Sequence, residues 1–227
     1  MASVAQEGAK KNAKQADIKN SLAAAARLFF SHAGPRLIAA TALVTVGIRV
    51  ALASWTWWDL AIVVGMVAAW PLLEWCIHVF FLHFKPRVVA GVKIDPFLAA
   101  KHRRHHADPW NTTLTLTALR GIVLAIVLNV VIWGAVMPTW PLAMTATSFF
   151  MLMGLMYDWT HFLIHTRYRP RTRLYKHLWR HHRLHHCKNE NYWFGVSMTL
   201  GDTLLGTAPD QATVEKSETC KTVHVEL

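Results

Sequence analysis

Histidine is the side chain of this sequence best suited to chemistry, because ten of its fourteen copies recur at spacings that favour metal binding. The neutral imidazole is a common protein ligand for zinc, copper, iron and nickel. The ten histidines lie in four segments of the chain: His78 and His83; His102, His105 and His106; His161 and His165; His182, His185 and His186. This pattern predicts a site for metal ions.

The spacing within the segments decides which rings can share an ion. His161 and His165 are four residues apart and share one face of a helix, so one ion can take both. Each HxxHH motif puts positions i, i+3 and i+4 along one stripe. His78 and His83 are five apart, or about 140° around a regular helix. They are therefore expected to serve different ions or to lie at the helix end before Pro86. Ten nitrogens are too many for one ion and suit two ions with open positions.

Long apolar stretches must position these histidines. A membrane span needs about 20 residues. Four stretches are close to this length or exceed it: Leu37–Trp58, Leu60–Phe84, Gly121–Met137 and Pro141–Ile164. The third is slightly short unless Leu114–Arg120 extends it. Tight turns with tryptophan at their edges, SWTWWD and MPTWP, join the stretches in pairs. The predicted fold is all-α and integral to a membrane, with four transmembrane helices in two hairpins and cytosolic helices that cap a histidine-rich dimetal site.

The charges indicate how the spans are oriented. The formal charge is +11, with 24 Lys and Arg against 13 Asp and Glu, and nearly all the basic residues lie on the side away from the two tight turns. Positive charge concentrates on the cytosolic side of membrane proteins. Both termini and the histidine site are therefore predicted to be cytosolic, and the charge needs no nucleic acid to explain it. Arg49 alone falls inside a span, where it either snorkels outward or pairs within the bundle.

The two hairpins deliver histidines to the same depth. His78 lies nineteen residues after Asp59, and His161 lies twenty residues after Pro141. At 1.5 Å per residue, both histidines are about 30 Å below the tight turns. A transporter would place its ligands near the midplane of the membrane. Metal transport or simple metal binding is therefore a lower alternative to an enzyme whose site lies at the inner boundary.

The chain is predicted to divide into four parts. Residues 1–20 are polar and rich in lysine, which predicts a disordered cytosolic arm and no cleavable signal peptide. Residues 21–34 form an interfacial amphipathic helix that begins at Ser21 and is ended by Gly34 and Pro35. Residues 35–208 form the membrane catalytic domain, and residues 209–227 form a C-terminal tail.

The four histidine motifs, in this order, resemble the fatty acid hydroxylase/sterol desaturase superfamily of integral-membrane di-metal oxygenases. The stretch HHCKNENYWFGVSMTLGDTLLGT is most similar to the fatty acid 2-hydroxylase branch. The resemblance covers about residues 60–208. It implies that all ten histidines are metal ligands and that the metal is two iron ions, for which zinc can substitute.

The same resemblance implies a reaction. It is the hydroxylation of a lipid acyl chain by O2 and two electrons, with C2 of a free or sphingolipid-linked fatty acid as one candidate position. Sterol desaturation and carotenoid hydroxylation are the alternatives within the superfamily. The sequence shows no fused cytochrome b5 domain. The expected partners are therefore a membrane lipid and a separate electron donor, either cytochrome b5-like or ferredoxin-like, and no nucleic acid.

Three carboxylates are predicted to support the ligands: Glu74, Asp158 and Asp202. A ligand imidazole commonly donates its other N–H group to a carboxylate or a carbonyl. Glu74 lies one helical turn before His78, and Asp158 lies at a similar distance before the third histidine segment. The alternatives are that Glu74 pairs with Arg49 and that Asp202 caps a turn.

The other four histidines are given smaller roles. His177 and His181 precede the last HxxHH motif, and they are expected to support the ligands or to lie at the surface. His32 and His224 match no motif. They are predicted to take no part in the metal site.

Overall fold

The computed structural model describes residues 21–221 and residue 223. The arm predicted for residues 1–20 and the side chain of His224 lie outside the described residues. Within the described part, four helices are long and apolar enough to cross a membrane: Ala33–Ala51, Trp57–Leu82, Thr112–Val136 and Trp140–Ile164. The predicted all-α architecture with four spans is confirmed, and the third span does extend to the N-terminal side of Gly121.

The described residues form helices α1 to α9 and one short hairpin: α1 Leu22–Phe29, α2 Ala33–Ala51, α3 Trp57–Cys76 continuing as a π-helix over Ile77–Leu82, β1 Arg87–Val89, β2 Val92–Ile94, α4 Phe97–Ala107, α5 Thr112–Thr115, α6 Leu119–Val136, α7 Trp140–Ile164, α8 Arg173–Cys187 and α9 Leu200–Leu204. The antiparallel pair β1–β2 was not predicted. Its turn residues Ala90 and Gly91 both have positive φ, as a tight two-residue hairpin requires.

The last span, α7, is the centre of the bundle. It packs against α2, α3 and α6, and it is the most buried of the four candidate spans. Small residues on α7, such as Ala143 and Ala146, are buried and let the neighbouring helices approach closely. The other spans expose large apolar side chains, such as Leu43 at 74% and Val131 at 60%. Such an apolar exterior suits contact with lipid rather than water.

Arg49 is paired inside the bundle, near the connection between α2 and α3. Its Nη2 lies 2.8 Å from Oδ1 of Asp59, and its Nε lies 2.8 Å from Oγ1 of Thr145. The guanidinium also stacks 3.7 Å from the ring centre of Trp55. The group ties α2, α3 and α7 together at the end away from the histidines. Of the two alternatives for Arg49, pairing is the one observed, and its carboxylate partner is not Glu74.

Helix α1 is shorter than predicted. It is capped by Ser21 and ends at Phe29, whereas Pro35 lies within α2, which begins at Ala33. Proline is tolerated in the first turn of a helix, because the N–H group it lacks has no partner there. Phe29 is fully buried, and its ring packs edge-on against Trp159 of α7. Helix α1 is therefore anchored to the histidine-bearing end of the last span.

Candidate metal centre

The ten predicted histidines meet in two clusters of five. Within each cluster, one nitrogen from every ring lies within 4.8 Å of the others. The first cluster contains His78, His83, His102, His106 and His185, and the second contains His105, His161, His165, His182 and His186. The clusters adjoin each other, since the rings of His106 and His186 are 4.1 Å apart. The structure therefore brings together every histidine that the sequence proposed as a ligand.

The two clusters exchange one histidine between the halves of the chain. The first and last histidines of each HxxHH motif join the pair from the preceding span. The middle histidine, His105 in α4 and His185 in α8, joins the cluster of the other half. Positions i+3 and i+4 point about 100° apart around a helix, so neighbouring rings of one motif can face different ions. All three rings of a motif were expected on one stripe of the helix, so this exchange was not predicted from the sequence.

A π-helix brings His78 and His83 to the same cluster. The amide of His83 donates to the carbonyl of His78 at 3.0 Å, which is the i to i+5 bond of a π-helix. Their ring centres are 5.0 Å apart. Of the two alternatives for this pair, the one in which the rings serve different ions assumed a regular α-helix and was wrong. The other is observed, because the helix changes its winding at Ile77–Leu82 and His83 lies at its end, before Pro86.

The distances between nitrogens fit ligands around an ion. The close Nε2 pairs are His78–His102, His102–His106 and His83–His185 at 3.1 Å, His83–His102 at 3.2 Å, His165–His182 at 3.1 Å and His182–His186 at 3.0 Å. With a metal–nitrogen bond of about 2.1 Å, ligands at right angles lie about 3.0 Å apart and tetrahedral ligands about 3.4 Å apart. The observed Nε2–Nε2 distances lie closer to the right-angle value than to the tetrahedral one. Together with the five rings per cluster, they favour more than four ligands per ion.

Backbone carbonyls fix the rings of the first cluster. Three Nδ1 atoms donate to carbonyl oxygens: His78 to Phe194 at 2.5 Å, His185 to Tyr192 at 2.8 Å and His106 to Cys220 at 3.0 Å. Because a carbonyl can only accept, the proton of each neutral ring sits on Nδ1, and Nε2 keeps its lone pair. Three lone pairs then face one another at close range. A cation at their centre would relieve this repulsion.

The second cluster contains buried nitrogens that need a partner. His161 and His165 hydrogen-bond to the carbonyls of Thr115 and Pro109. Nε2 of His161 and both ring nitrogens of His105 are buried, with no hydrogen-bond partner among the described residues. An unpaired buried polar group costs about 1–3 kcal/mol. Metal ions would satisfy the nitrogens that face the cluster, so the donor set of the second cluster also fits an ion.

The buried rings are neutral at physiological pH. Burial, reinforced by neighbouring imidazoles, lowers the pKa of six rings outside the spans well below the usual range: His102, His105, His165, His182, His185 and His186. A metal ligand must be a neutral imidazole. These six rings, two in the first cluster and four in the second, can therefore bind cations without first losing a proton.

Two of the three predicted carboxylates hold the loop that follows α8 rather than the ligand rings. Asp202 accepts from Nε2 of His181 at 2.8 Å and from the amides of Phe194 and Gly195. Burial alone would raise the pKa of Asp202, but hydrogen bonds from His181, Thr207 and Gly195 outweigh it and lower the pKa. Glu74 accepts from the amides at positions 196 and 197. Carbonyls, not these carboxylates, take the ligand N–H groups.

Asp158 lies beside the second cluster. Its Oδ1 accepts from Oγ1 of Thr117 at 2.7 Å. Thr117 lies two residues after Thr115, whose carbonyl faces His161. Asp158 therefore supports the segment that orients a ring of the second cluster, and it makes no hydrogen bond to a ring of that cluster among those recorded for the described residues.

The remaining described histidines lie outside both clusters. His177 is exposed and its Nε2 lies 3.0 Å from Oγ1 of Thr199. His181 is buried against Asp202, which gives it the supporting position that was one of its two expected roles. His32 has its Nδ1 2.8 Å from the carbonyl of Leu28, at the end of α1.

Two plant enzymes of known activity are similar to this chain in sequence. The chain is 29% identical over 161 residues to the Arabidopsis thaliana dihydroceramide fatty acyl 2-hydroxylase FAH2, and 26% identical over 166 residues to FAH1 of the same plant. These alignments cover 66% and 69% of this chain, and 62% and 64% of the relatives. The chain therefore matches a little under two thirds of their length.

A solved structure shares the fold. The hydroxylase domain of full-length scs7p aligns with a TM-score of 0.66 and 20% identity, over 81% of this chain and 68% of that chain. The sequence model of the family described as fatty acid hydroxylase matches residues 63–207, a region that contains all ten clustered histidines. The chain belongs to the fatty acid hydroxylase family.

Proposed function

We propose that the chain is a membrane-bound oxygenase that uses two iron ions to hydroxylate a lipid acyl chain. The observation that carries the proposal is the pair of adjoining five-imidazole clusters at the ends of the second and fourth spans. Ten neutral nitrogens without an acidic ligand suit a redox metal with an open position better than a four-coordinate structural zinc.

The reaction balances with one oxygen molecule per turnover. One C–H bond, O2, two electrons and two protons give one C–OH group and one water molecule. Bound iron would supply the reduction of O2 and the oxidation of the C–H bond. The protein holds both ions in a buried site, keeps its imidazoles neutral and fixes their rings through backbone carbonyls. Burial also excludes water, which would otherwise consume reactive species.

The placement of the site suits a lipid substrate. The clusters lie where the apolar spans end, so an acyl chain within the bilayer can reach them while its polar head stays at the surface. The two Arabidopsis relatives are dihydroceramide fatty acyl 2-hydroxylases. We therefore propose C2 of a sphingolipid-linked or free fatty acid as the position of attack. Residues 35–208 are the proposed catalytic domain, to which the C-terminal tail adds the Cys220 carbonyl that orients His106.

The charge pattern supports a cytosolic site. Basic residues dominate the segments that flank the clusters, so the termini and the clusters are proposed to face the cytosol in a multi-pass arrangement. The two electrons then come from a cytosolic donor on a separate chain, either cytochrome b5-like or ferredoxin-like. The same exposed basic side chains favour an acidic surface on that donor.

Lipid analysis tests the proposal directly. The protein is expressed in a host without such an activity, and lipid extracts with and without expression are compared by mass spectrometry. An acyl product that gains one oxygen atom at C2 is expected. A product that loses two hydrogen atoms would instead identify a desaturase, and metal uptake into vesicles with no oxygen consumption would support a transporter.

Alanine variants connect the product to the clusters. His165→Ala and His185→Ala are expected to abolish the product and to lower bound metal, because each removes one of five rings from a cluster. His177→Ala is the matched control, since His177 is exposed and lies outside both clusters. His224→Ala is expected to behave like this control. Full turnover by either cluster variant would count heavily against the assignment.

A further inference from the structure

The loop between α8 and α9 supplies two of the carbonyls that orient the first cluster. Tyr192 accepts from His185, and Phe194 accepts from His78. The ring of Phe194 also lies against both of these histidines, at 5.5 Å from His78 and 5.3 Å from His185. The conformation of this loop therefore sets the direction of two ligand rings that come from different halves of the chain.

Two buried carboxylates hold four successive amides of this loop. Asp202 accepts from the amides of Phe194, at 2.9 Å, and Gly195, at 2.6 Å. Glu74 accepts from the amides of Val196 and Ser197, and from the Ser197 hydroxyl at 2.5 Å. Both carboxylates are buried, with exposed fractions of 0% and 3%. Four consecutive amides are thus fixed by side chains instead of by secondary structure.

The carboxylates are themselves fixed to neighbouring elements. Trp70 of α3 donates to Oε2 of Glu74 at 3.2 Å and to Oγ of Ser197 at 3.1 Å. Thr207 donates to Oδ1 of Asp202 at 2.6 Å. The backbone packs closely at Gly195, where a Cβ would lie 2.3 Å from the Met198 carbonyl and leaves no space for a side chain. These contacts together hold the loop in the observed conformation.

The second cluster is oriented from another part of the chain. The carbonyls that face His161 and His165 belong to Thr115 and Pro109, in the connection between α4 and α6. Among the hydrogen bonds recorded for the described residues, none joins residues 192–197 to a ring of the second cluster. The carbonyls of the loop thus orient rings of the first cluster. Asp202 also accepts from His181, which precedes His182 on α8 but is not itself a member of either cluster.

We infer that Glu74 and Asp202 are positioning residues for the ion of the first cluster alone. They hold the amides of residues 194–197, and so the loop whose Phe194 and Tyr192 carbonyls aim His78 and His185 at that ion. The inference rests on the proposed two-ion site and assigns both carboxylates to the first of its two ion positions. A carboxylate that were merely structural would weaken both positions equally when altered, or neither.

Metal binding by Asp202→Asn tests the inference. Asparagine keeps the shape but replaces one accepting oxygen by an NH2 group, which opposes two of the four donors that now bond to Asp202. Loss of a group that supports a ligand commonly reduces metal affinity about 10–100-fold. Purified full-length protein is loaded anaerobically with Fe(II), titrated with a chelator, and analysed for metal per chain. One ion is expected to leave at about 10–100-fold lower free chelator than in the unaltered protein, while the other is unchanged.

Two backgrounds identify which ion has weakened. His161→Ala with His165→Ala removes two ligands from the second cluster, so the single remaining ion reports on the first. His78→Ala with His102→Ala does the converse. Adding Asp202→Asn is expected to release the ion early in the first background and to leave it unchanged in the second. Glu218→Gln, an exposed carboxylate, is the control for the change of charge.

The outcomes separate this inference from the proposed function. If the unaltered protein binds fewer than two ions, the proposed two-ion site itself fails. If it binds two, and Asp202→Asn leaves both unchanged or weakens both equally, the inference is overturned. Thr207→Val provides a milder change should Asp202→Asn not fold, since it removes one hydrogen bond to Asp202. In Thr207→Val, a smaller loss of metal affinity confined to the first cluster supports the inference. An equal change at both clusters, or no change at either, contradicts it.

Discussion

The exchange of histidines between the clusters predicts how two double variants bind metal. If each half of the chain bound its own ion instead, the expected results of the two variants would be reversed. His102 and His185 belong to different motifs but to the same cluster, whereas His182 and His185 belong to one motif but to different clusters. Two double variants therefore remove the same number of imidazoles in different arrangements. His102→Ala/His185→Ala leaves one cluster complete, and His182→Ala/His185→Ala leaves both with four rings.

The number of rings lost from each cluster sets the expected difference in metal affinity. Loss of a supporting group reduces metal affinity by up to about 100-fold, and the loss of ligands themselves is expected to reach at least that value. A factor of 100 corresponds to about 2.7 kcal/mol. His102→Ala/His185→Ala should lose one ion at chelator concentrations at least two decades lower, and retain the other with unaltered affinity. His182→Ala/His185→Ala should retain neither ion with unaltered affinity.

Chelator titration of anaerobically loaded protein measures both affinities in one experiment, and metal is counted per chain at each concentration. The unaltered protein and His177→Ala should release both ions late. The reasoning is refuted if His182→Ala/His185→Ala keeps one ion with unaltered affinity, or if His102→Ala/His185→Ala weakens both. Either result would show that each half of the chain binds its own ion.

Three further changes test the fold around the site. Asp59→Asn should lower the free energy of unfolding in detergent by about 3–5 kcal/mol, because it leaves the buried Arg49 without a charged partner. Arg49→Leu/Asp59→Leu should recover most of this loss. An Asp59→Asn variant as stable as the unaltered protein would contradict the pairing. Phe29→Ala should cost about 3–5 kcal/mol by the same measurement, and an exposed control, Leu43→Ala, should cost little. Removing the metal by chelation should lower the Tm, since ions bind only the folded clusters; an unchanged Tm would mean that the clusters hold no ion.

The sequence predicted the spans and the ten histidines because both depend on local pattern. Hydropathy over about 20 residues identifies a span, and the depth of His78 and His161 follows from the fixed rise of a helix. The C-terminal end of the last span was placed at Ile164, where the structure has it. The first apolar stretch was predicted to begin at Leu37, whereas its helix begins at Ala33, because an apolar run does not show where helical geometry begins.

The exchange and the π-helix could not be predicted from the sequence. A regular helix separates His78 from His83, and only the observed i to i+5 bond brings them together. Whether His185 turns to one ion or the other depends on how α8 is rotated against α4, which is a property of packing. The orienting oxygens of Phe194 and Cys220 are backbone atoms, and every residue has one. Their identity therefore gave no signal in the sequence.

The exchange also has a consequence for folding. Each half of the chain contains a pair of histidines in a span and an HxxHH motif, and each half could hold four rings around one ion by itself. The fifth ring of each cluster, His105 or His185, comes from the other half. Neither half can complete its ligand set until α4 and α8 are packed together. Binding of either ion therefore stabilises the contact between the two halves, so that metal binding and assembly of the whole site are coupled.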